Sequence, residues 1–157
     1  MHNNTMKPHN FGEIAALQEL FEDARRRRQG RNPPQVMVVE DDHLTRRIVS
    51  GALKDSYAMI SACDAREAVA DYLMYAPDVV FLDIGLPDVD GFAVLDQIML
   101  LDPEAFVVMF SSSDYAANVD RAYKAGAKGF IGKPFHKEEL HNFIRGSAMH
   151  HHKSCVE

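Results

Sequence analysis

Tryptophan is missing from this 157-residue chain, cysteine occurs only twice, and no apolar run reaches the roughly 20 residues of a membrane-spanning helix. Each scarcity excludes something. Cys63 and Cys155 form no CxxC spacing and are too few for a disulfide framework, which agrees with a reducing compartment, and both read as ordinary thiols. The polar start MHNNTMKPHN lacks the charged-then-apolar layout of a secretion signal, so the expected location is the cytoplasm, with no membrane partner. Basic residues are sparse where a nucleic-acid surface would need them: residues 35–157 carry 11 Lys/Arg against 19 Asp/Glu, a charge of -8. Phosphate backbones are held through clustered Lys and Arg, so this body argues against nucleic acid as a partner and suits a pocket for a hard cation. Residues 1–34 carry 6 Lys/Arg against 4 Asp/Glu, a charge of +2. What is present, 46% hydrophobic residues, is enough for the core of a single globular domain.

A helix-breaking Pro33-Pro34 pair follows Gln29-Gly30-Arg31-Asn32 and divides an N-terminal extension, 1–34, from a body, 35–146, with a short tail at 147–157. In the body, apolar β-branched runs such as Val36-Met37-Val38-Val39 and Val79-Val80-Phe81-Leu82 alternate with segments of helical spacing. Strands are expected near 35–40, 57–62, 78–83, 106–111 and 129–132, and helices near 43–54, 65–75, 91–101, 114–125 and 137–145. The helical stripes are Leu44, Ile48 and Ala52; Phe92, Leu95 and Ile98; and Leu140, Phe143 and Ile144. Strands that are apolar throughout need cover on both sides, which predicts a three-layer α/β fold around a parallel sheet.

Chemistry collects where these strands end. The first runs into Glu40-Asp41-Asp42, and the third into Asp83. In an open α/β sheet, ligands bind beyond the carboxyl ends of strands, where strand order reverses; if strands one and three are neighbours, Asp41 and Asp83 converge with Glu40 close by. Crowded carboxylates repel and call for a cation with oxygen ligands, Mg²⁺ or Mn²⁺. The same acids also read as caps of the helices that follow, above all Asp42, but Asp83 leads into the loop Ile84-Gly85-Leu86-Pro87-Asp88. Two more strand ends bring Ser111-Ser112-Ser113 and Lys133-Pro134-Phe135. A nucleophilic carboxylate, a metal, a hydroxyl and a cation are what phosphoryl transfer uses.

VVEDD at 38–42, FLDIGLPDVDGF at 81–92, Ser111, AGAKGF at 125–130 and KPF at 133–135 together resemble the response-regulator receiver family of two-component systems, and most of all its stand-alone chemotaxis-type members. The resemblance covers about residues 35–146 and implies a doubly wound (βα)5, flavodoxin-like fold with sheet order 2-1-3-4-5. It implies that Asp83 is the phosphoacceptor, supplied by a sensor histidine kinase or a histidine phosphotransfer protein. Asp41, Asp83 and the backbone carbonyl of Gly85 would bind Mg²⁺, with Glu40 acting through water. Lys133 would pair with the phosphoryl oxygens, aimed by a cis peptide between Lys133 and Pro134. Ser111 would move toward the phosphoryl group and let the aromatic at Phe130 turn inward, changing the surface formed by the helix near 114–125, the strand near 129–132 and the helix near 137–145. Phe130 also reads as plain core. Gly85 has no side chain where many relatives carry a polar one, and Ser113, two residues past Ser111, is also small; neither orients an attacking water well, which predicts slow self-dephosphorylation.

In the extension, Asn10 and Glu13 resemble a capping box, and Ile14, Leu17, Phe21 and Ala24 form the stripe of an amphipathic helix at 11–28. Such a helix gains stability by packing on its own body, on a second copy or on a partner. Arg25 to Arg28 read as a solvated helix end, and His150-His151-His152 as a disordered tail able to hold a metal only loosely. The reading is thus a signalling switch that catalyses only its own phosphorylation and dephosphorylation. A dimeric adaptor or transcriptional regulator joined through the extension is the alternative, although the chain shows no DNA-reading element. An aspartyl-phosphate phosphatase fits less well, because that class needs an acid where Gly85 stands. Arg46-Arg47-Ile48 hints at the chemotaxis type.

Overall fold

The computed structural model describes residues 10–112 and 115–154. In chain order these form α1 (Asn10–Arg28), β1 (Gln35–Val39), α2 (His43–Leu53), β2 (Ala58–Ala62), α3 (Ala65–Tyr75), β3 (Val79–Asp83), α4 (Gly91–Leu101), β4 (Val107–Ser111), α5 (Tyr115–Lys124), β5 (Gly129–Gly132) and α6 (Lys137–Ser154). The five strands make one parallel sheet in the order β2-β1-β3-β4-β5. The predicted doubly wound order is therefore present, and β1 and β3 are neighbours in register, Val39 beside Leu82.

Strand alternation explains the layers. Val36, Val38, Val79 and Phe81 point to one face, where Val49 and Leu53 of α2 and Leu140 and Ile144 of α6 cover them. Met37, Val39, Val80 and Leu82 point to the other, under Ala68 and Tyr72 of α3, Leu95 and Ile98 of α4 and Ala122 of α5. Three of the helix starts, those of α2, α3 and α4, are fixed by an acid: Asp42 accepts from the Thr45 N–H, Asp64 from Glu67 and Asp90 from Phe92, at 3.0, 2.8 and 2.9 Å. Asp42 thus serves as a helix cap.

Three expectations are corrected. The buried stripe of α2 is Val49 and Leu53, while Leu44 and Ile48 are 65% and 54% exposed. Rows one residue apart on a helix carry the same i, i+4 spacing, and the register set by the Asp42 cap turns the Val49 row inward. The last helix runs to Ser154 rather than ending near 145, and the histidines anchor it: His150 Nε2 lies 2.9 Å from the Glu104 carbonyl and His151 Nε2 lies 2.8 Å from the Asp78 carbonyl. His150 also packs edge-on against Phe106, with ring centroids 5.6 Å apart.

The arginines, finally, are not a solvated end. α1 lies against α3 and α4 with Ala24 buried, and Arg28 reaches into the body. Its guanidinium donates to the Pro77 carbonyl at 3.1 Å, the Tyr72 hydroxyl at 2.7 Å and Asp102 Oδ2 at 2.5 Å, with Arg28 and Asp102 side chains both 2% exposed. Tyr72 donates in turn to Asp102 at 2.6 Å. Arg27 donates to the carbonyls of Leu73 and Met74, and Arg31 to those of Tyr75 and Ala76. These carbonyls close α3, where a helix has no internal donors left and its dipole favours cations. Arg25 pairs with Glu104 at 3.2 Å, while Arg26 stays 65% exposed. The side chains of Asn10, Phe11 and Ile14 lie outside the described residues, as do Ser113 and Cys155.

Candidate functional site

Parallel pairing carries the carboxyl ends of β1, β3, β4 and β5 to one edge, and the side chains singled out there meet. Glu40, 1% exposed, and Asp83, 6% exposed, face each other across the β1–β3 boundary, and Asp41 stands beside them at the surface. One carboxylate oxygen from each of the three falls within 4.8 Å of the others. Lys133, arriving after β5, places Nζ 2.7 Å from Glu40 Oε2 and 3.2 Å from Asp83 Oδ1. The Lys133–Pro134 peptide is cis. Ser111 ends β4 buried beside this edge, and its carbonyl accepts the Lys133 N–H at 2.8 Å. Phe130 is 7% exposed and belongs to the apolar layer that also holds Met109 and Ala122.

Electrostatics follow from that crowding. Burial, joined by the negative charge of Asp83, raises the Glu40 carboxyl above the usual carboxylate range although Lys133 pulls the other way. Burial works against a charged Lys133, but its hydrogen bond to Glu40 and the charges of Asp83 and Glu40 outweigh it and hold the ammonium above its ordinary value. One cation therefore serves two buried acids and a third at the rim, leaving a negative pocket of hard oxygen donors. That donor set fits a small divalent cation.

Two groups that position the site were given no role in it from the sequence. Arg46 of α2 donates to the carbonyls of Glu40 and Asp41 at 2.8 and 3.0 Å and so fixes the loop that presents the first two acids. Its signal was charge one helical turn beyond the acids. Gly91 opens α4 against the back of Asp83: a Cβ there would lie 2.2 Å from the Asp83 carbonyl oxygen. No pattern in the chain marks that contact, which arises from the return of the β3–α4 loop, where the Gly91 N–H donates to the Ile84 carbonyl at 2.8 Å.

A doubly wound sheet with acids at the ends of β1 and β3 and a lysine after β5 defines a class, and comparison with known proteins names it. The model of the response regulator receiver domain matches residues 36–145, and the chain belongs to that family. Its relatives include the chemotaxis protein CheY of Listeria monocytogenes, 38% identical over 107 residues, which are 67% of this chain and 90% of that protein. CheY of Thermotoga maritima is 37% identical over 64% of this chain and 85% of its own length. Among solved structures, NtrX from Brucella abortus superposes with a TM-score of 0.72 at 34% identity, covering 79% of this chain but only 29% of NtrX. The CheX-CheY-BeF3-Mg²⁺ complex from Borrelia burgdorferi matches with a TM-score of 0.69 at 30% identity, covering 73% of this chain and 88% of that one. No helix among the described residues is long and apolar enough to cross a membrane.

Proposed function

We propose that this protein is a phosphorylation switch in which Asp83 accepts a phosphoryl group from the phosphohistidine of a sensor kinase or phosphotransfer protein. The observation that carries this is the convergence of Glu40, Asp41, Asp83 and Lys133 at the ends of adjacent strands. A carboxylate oxygen of Asp83 attacks phosphorus, the P–N bond of the donor breaks, and the departing imidazole keeps the bond's electron pair and takes a proton. Asp41, Asp83 and the Gly85 carbonyl would hold Mg²⁺ or Mn²⁺, with Glu40 acting through water; the ion supplies charge neutralisation on the phosphoryl oxygens. Lys133, already charged and within reach of Asp83, pairs with the same oxygens, and Ser111 donates a hydrogen bond to them. Partner binding then changes on the face formed by α5, β5 and α6, with Phe130 as the buried element that couples it to Ser111.

The phosphoryl group is expected to last, because Gly85 offers no side chain to orient water; a half-life of seconds without a phosphatase counts against this. Gly85 also stands where an aspartyl-phosphate phosphatase would carry its general acid, which favours the switch over the enzyme. The cytoplasm is the expected compartment. A homodimer through the exposed half of α1 is a second way to engage a partner, since Leu20 there is 41% exposed.

The test is incubation with Mg²⁺ and acetyl phosphate followed by intact mass for wild type and Asp83→Asn. One added phosphoryl group, lost in the variant and on chelation, is the expected result. A folded wild type that takes no phosphoryl group from this or any phosphohistidine donor would refute the proposal.

A further inference from the structure

The loop between β3 and α4 carries Gly85, whose carbonyl is a proposed ligand of the cation, yet Gly85 itself provides no side chain to hold that carbonyl in place. A Cβ at this position would meet nothing closer than Asp83 Oδ2 at 3.9 Å. The ends of the loop are fixed: the Ile84 N–H donates to the Phe110 carbonyl at 3.0 Å, and Asp90 caps α4. In the middle, Leu86 is buried and Asp88 turns the other way. Both carboxylate oxygens of Asp88 lie near the N–H of Ala65, at 3.2 and 3.1 Å.

Ala65 is the first residue of α3, whose own cap, Asp64, is occupied with the Glu67 N–H at 2.8 Å. First-turn N–H groups have no acceptor inside their helix, and the helix dipole favours a carboxylate there. The end of α3 is thus satisfied by two acids, one local and one belonging to the loop that follows Asp83. Capping alone would stabilise α3 and leave the acidic pocket untouched. A tether three residues from a glycine carbonyl does more, because a loop ordered before the cation arrives spends less binding energy on its own ordering.

We propose that Asp88 is a positioning residue: through the Ala65 N–H it ties the β3–α4 loop to α3 and so holds the Gly85 carbonyl at the Asp41–Asp83 pocket for a divalent cation. The proposal rests on the metal reading given above. Its test uses the full chain, labelled with ¹⁵N, in wild type, Asp88→Ala and Asp88→Asn. Mg²⁺ is titrated by amide chemical shift, hydrogen exchange is followed at Ala65, and melting temperatures are compared.

Asp88→Ala should weaken Mg²⁺ about tenfold, the low end of what loss of a supporting partner costs a metal site, and should speed exchange at Ala65. Asp88→Asn keeps one acceptor oxygen and should stay within about threefold of wild type. Faster exchange in Asp88→Ala with unchanged Mg²⁺ affinity would reduce the residue to a helix cap and overturn the proposal. Should Asp88→Ala not fold, Asp88→Asn decides: loss of the Ala65 protection without any change in Mg²⁺ affinity overturns it equally. A wild type that binds no Mg²⁺ would instead fail the metal reading itself, and this inference with it.

Discussion

Replacing Arg28 by methionine should separate a buried ion pair from its exposed neighbour on the same helix. The substitution keeps most of the side-chain volume but removes the charge and every donor, so Asp102, with its side chain 2% exposed, loses its cationic partner. Tyr72 still donates to Asp102, but one hydroxyl does not replace a guanidinium. Breaking a buried pair by removing one member costs about 3–5 kcal/mol, chiefly because the remaining charge is left uncompensated. At about 2–4 °C per kcal/mol for a domain of this size, the melting temperature should fall by about 10 °C. There is a ceiling: if α1 docks more weakly than this, it will detach, Asp102 will rehydrate, and the loss will stop at the docking free energy. Limited proteolysis near residues 25–31 distinguishes the two outcomes. Arg26→Met is the control, since Arg26 is 65% exposed and pairs with Asp23 at 3.7 Å, a surface contact worth less than about 0.5 kcal/mol. Urea titration of both variants gives the answer. Equal midpoints for Arg28→Met and Arg26→Met, with no new cleavage in α1, would refute the claim that the arginine cluster fastens the extension to the body.

Gly91→Ala forces a methyl against the Asp83 carbonyl and should cost about 3 kcal/mol in urea titration while slowing phosphorylation by acetyl phosphate; a wild-type midpoint would contradict the close approach. Lys133→Ala should fold but lose about a hundredfold in phosphorylation rate measured by intact mass, because the ammonium beside Asp83 that pairs with the phosphoryl oxygens is gone. His151 is held near a pKa of about 4 by burial and by the charge of Arg28, against about 6.5 in an unfolded chain. Between those values the unfolded chain binds the extra proton, so stability falls as pH drops from about 6.5 to 4, by at most about 3 kcal/mol for this residue. His151→Gln should shrink the difference between urea midpoints at pH 7 and pH 4.5, and an undiminished difference would remove His151 from that account.

The parts of the molecule that were legible in the sequence are those whose signal is local. Val36 to Val39 and Val79 to Leu82 announce buried parallel strands, and the acids that end them mark the edge where Glu40, Asp41 and Asp83 meet. The face of α2 was misread because two neighbouring rows, Leu44-Ile48-Ala52 and Thr45-Val49-Leu53, have the same spacing, and periodicity cannot choose between them. Arg28 was misread for a different reason: its partners Tyr72 and Asp102 lie 44 and 74 residues away, so nothing near it in the chain distinguishes a buried guanidinium from a hydrated one. The histidines of α6 are similar, since their acceptors are main-chain carbonyls that no residue type reveals.

Two residues join both ends of the chain at once. Asp78 gives its carboxylate to Arg31 and its carbonyl to His151, and Glu104 gives its carboxylate to Arg25 and its carbonyl to His150. Anyone who trims this protein to the 36–145 span shared with its family would cut away all four of those donors together with Arg28. The fragment would present Asp78, Asp102 and Glu104 as a bare acidic floor, with Tyr72 opened to water beside them. A truncated version would thus be a poor stand-in for the whole in measurements of stability or partner binding, and a weak phenotype in it would speak of its exposed underside as much as of the chemistry at Asp83.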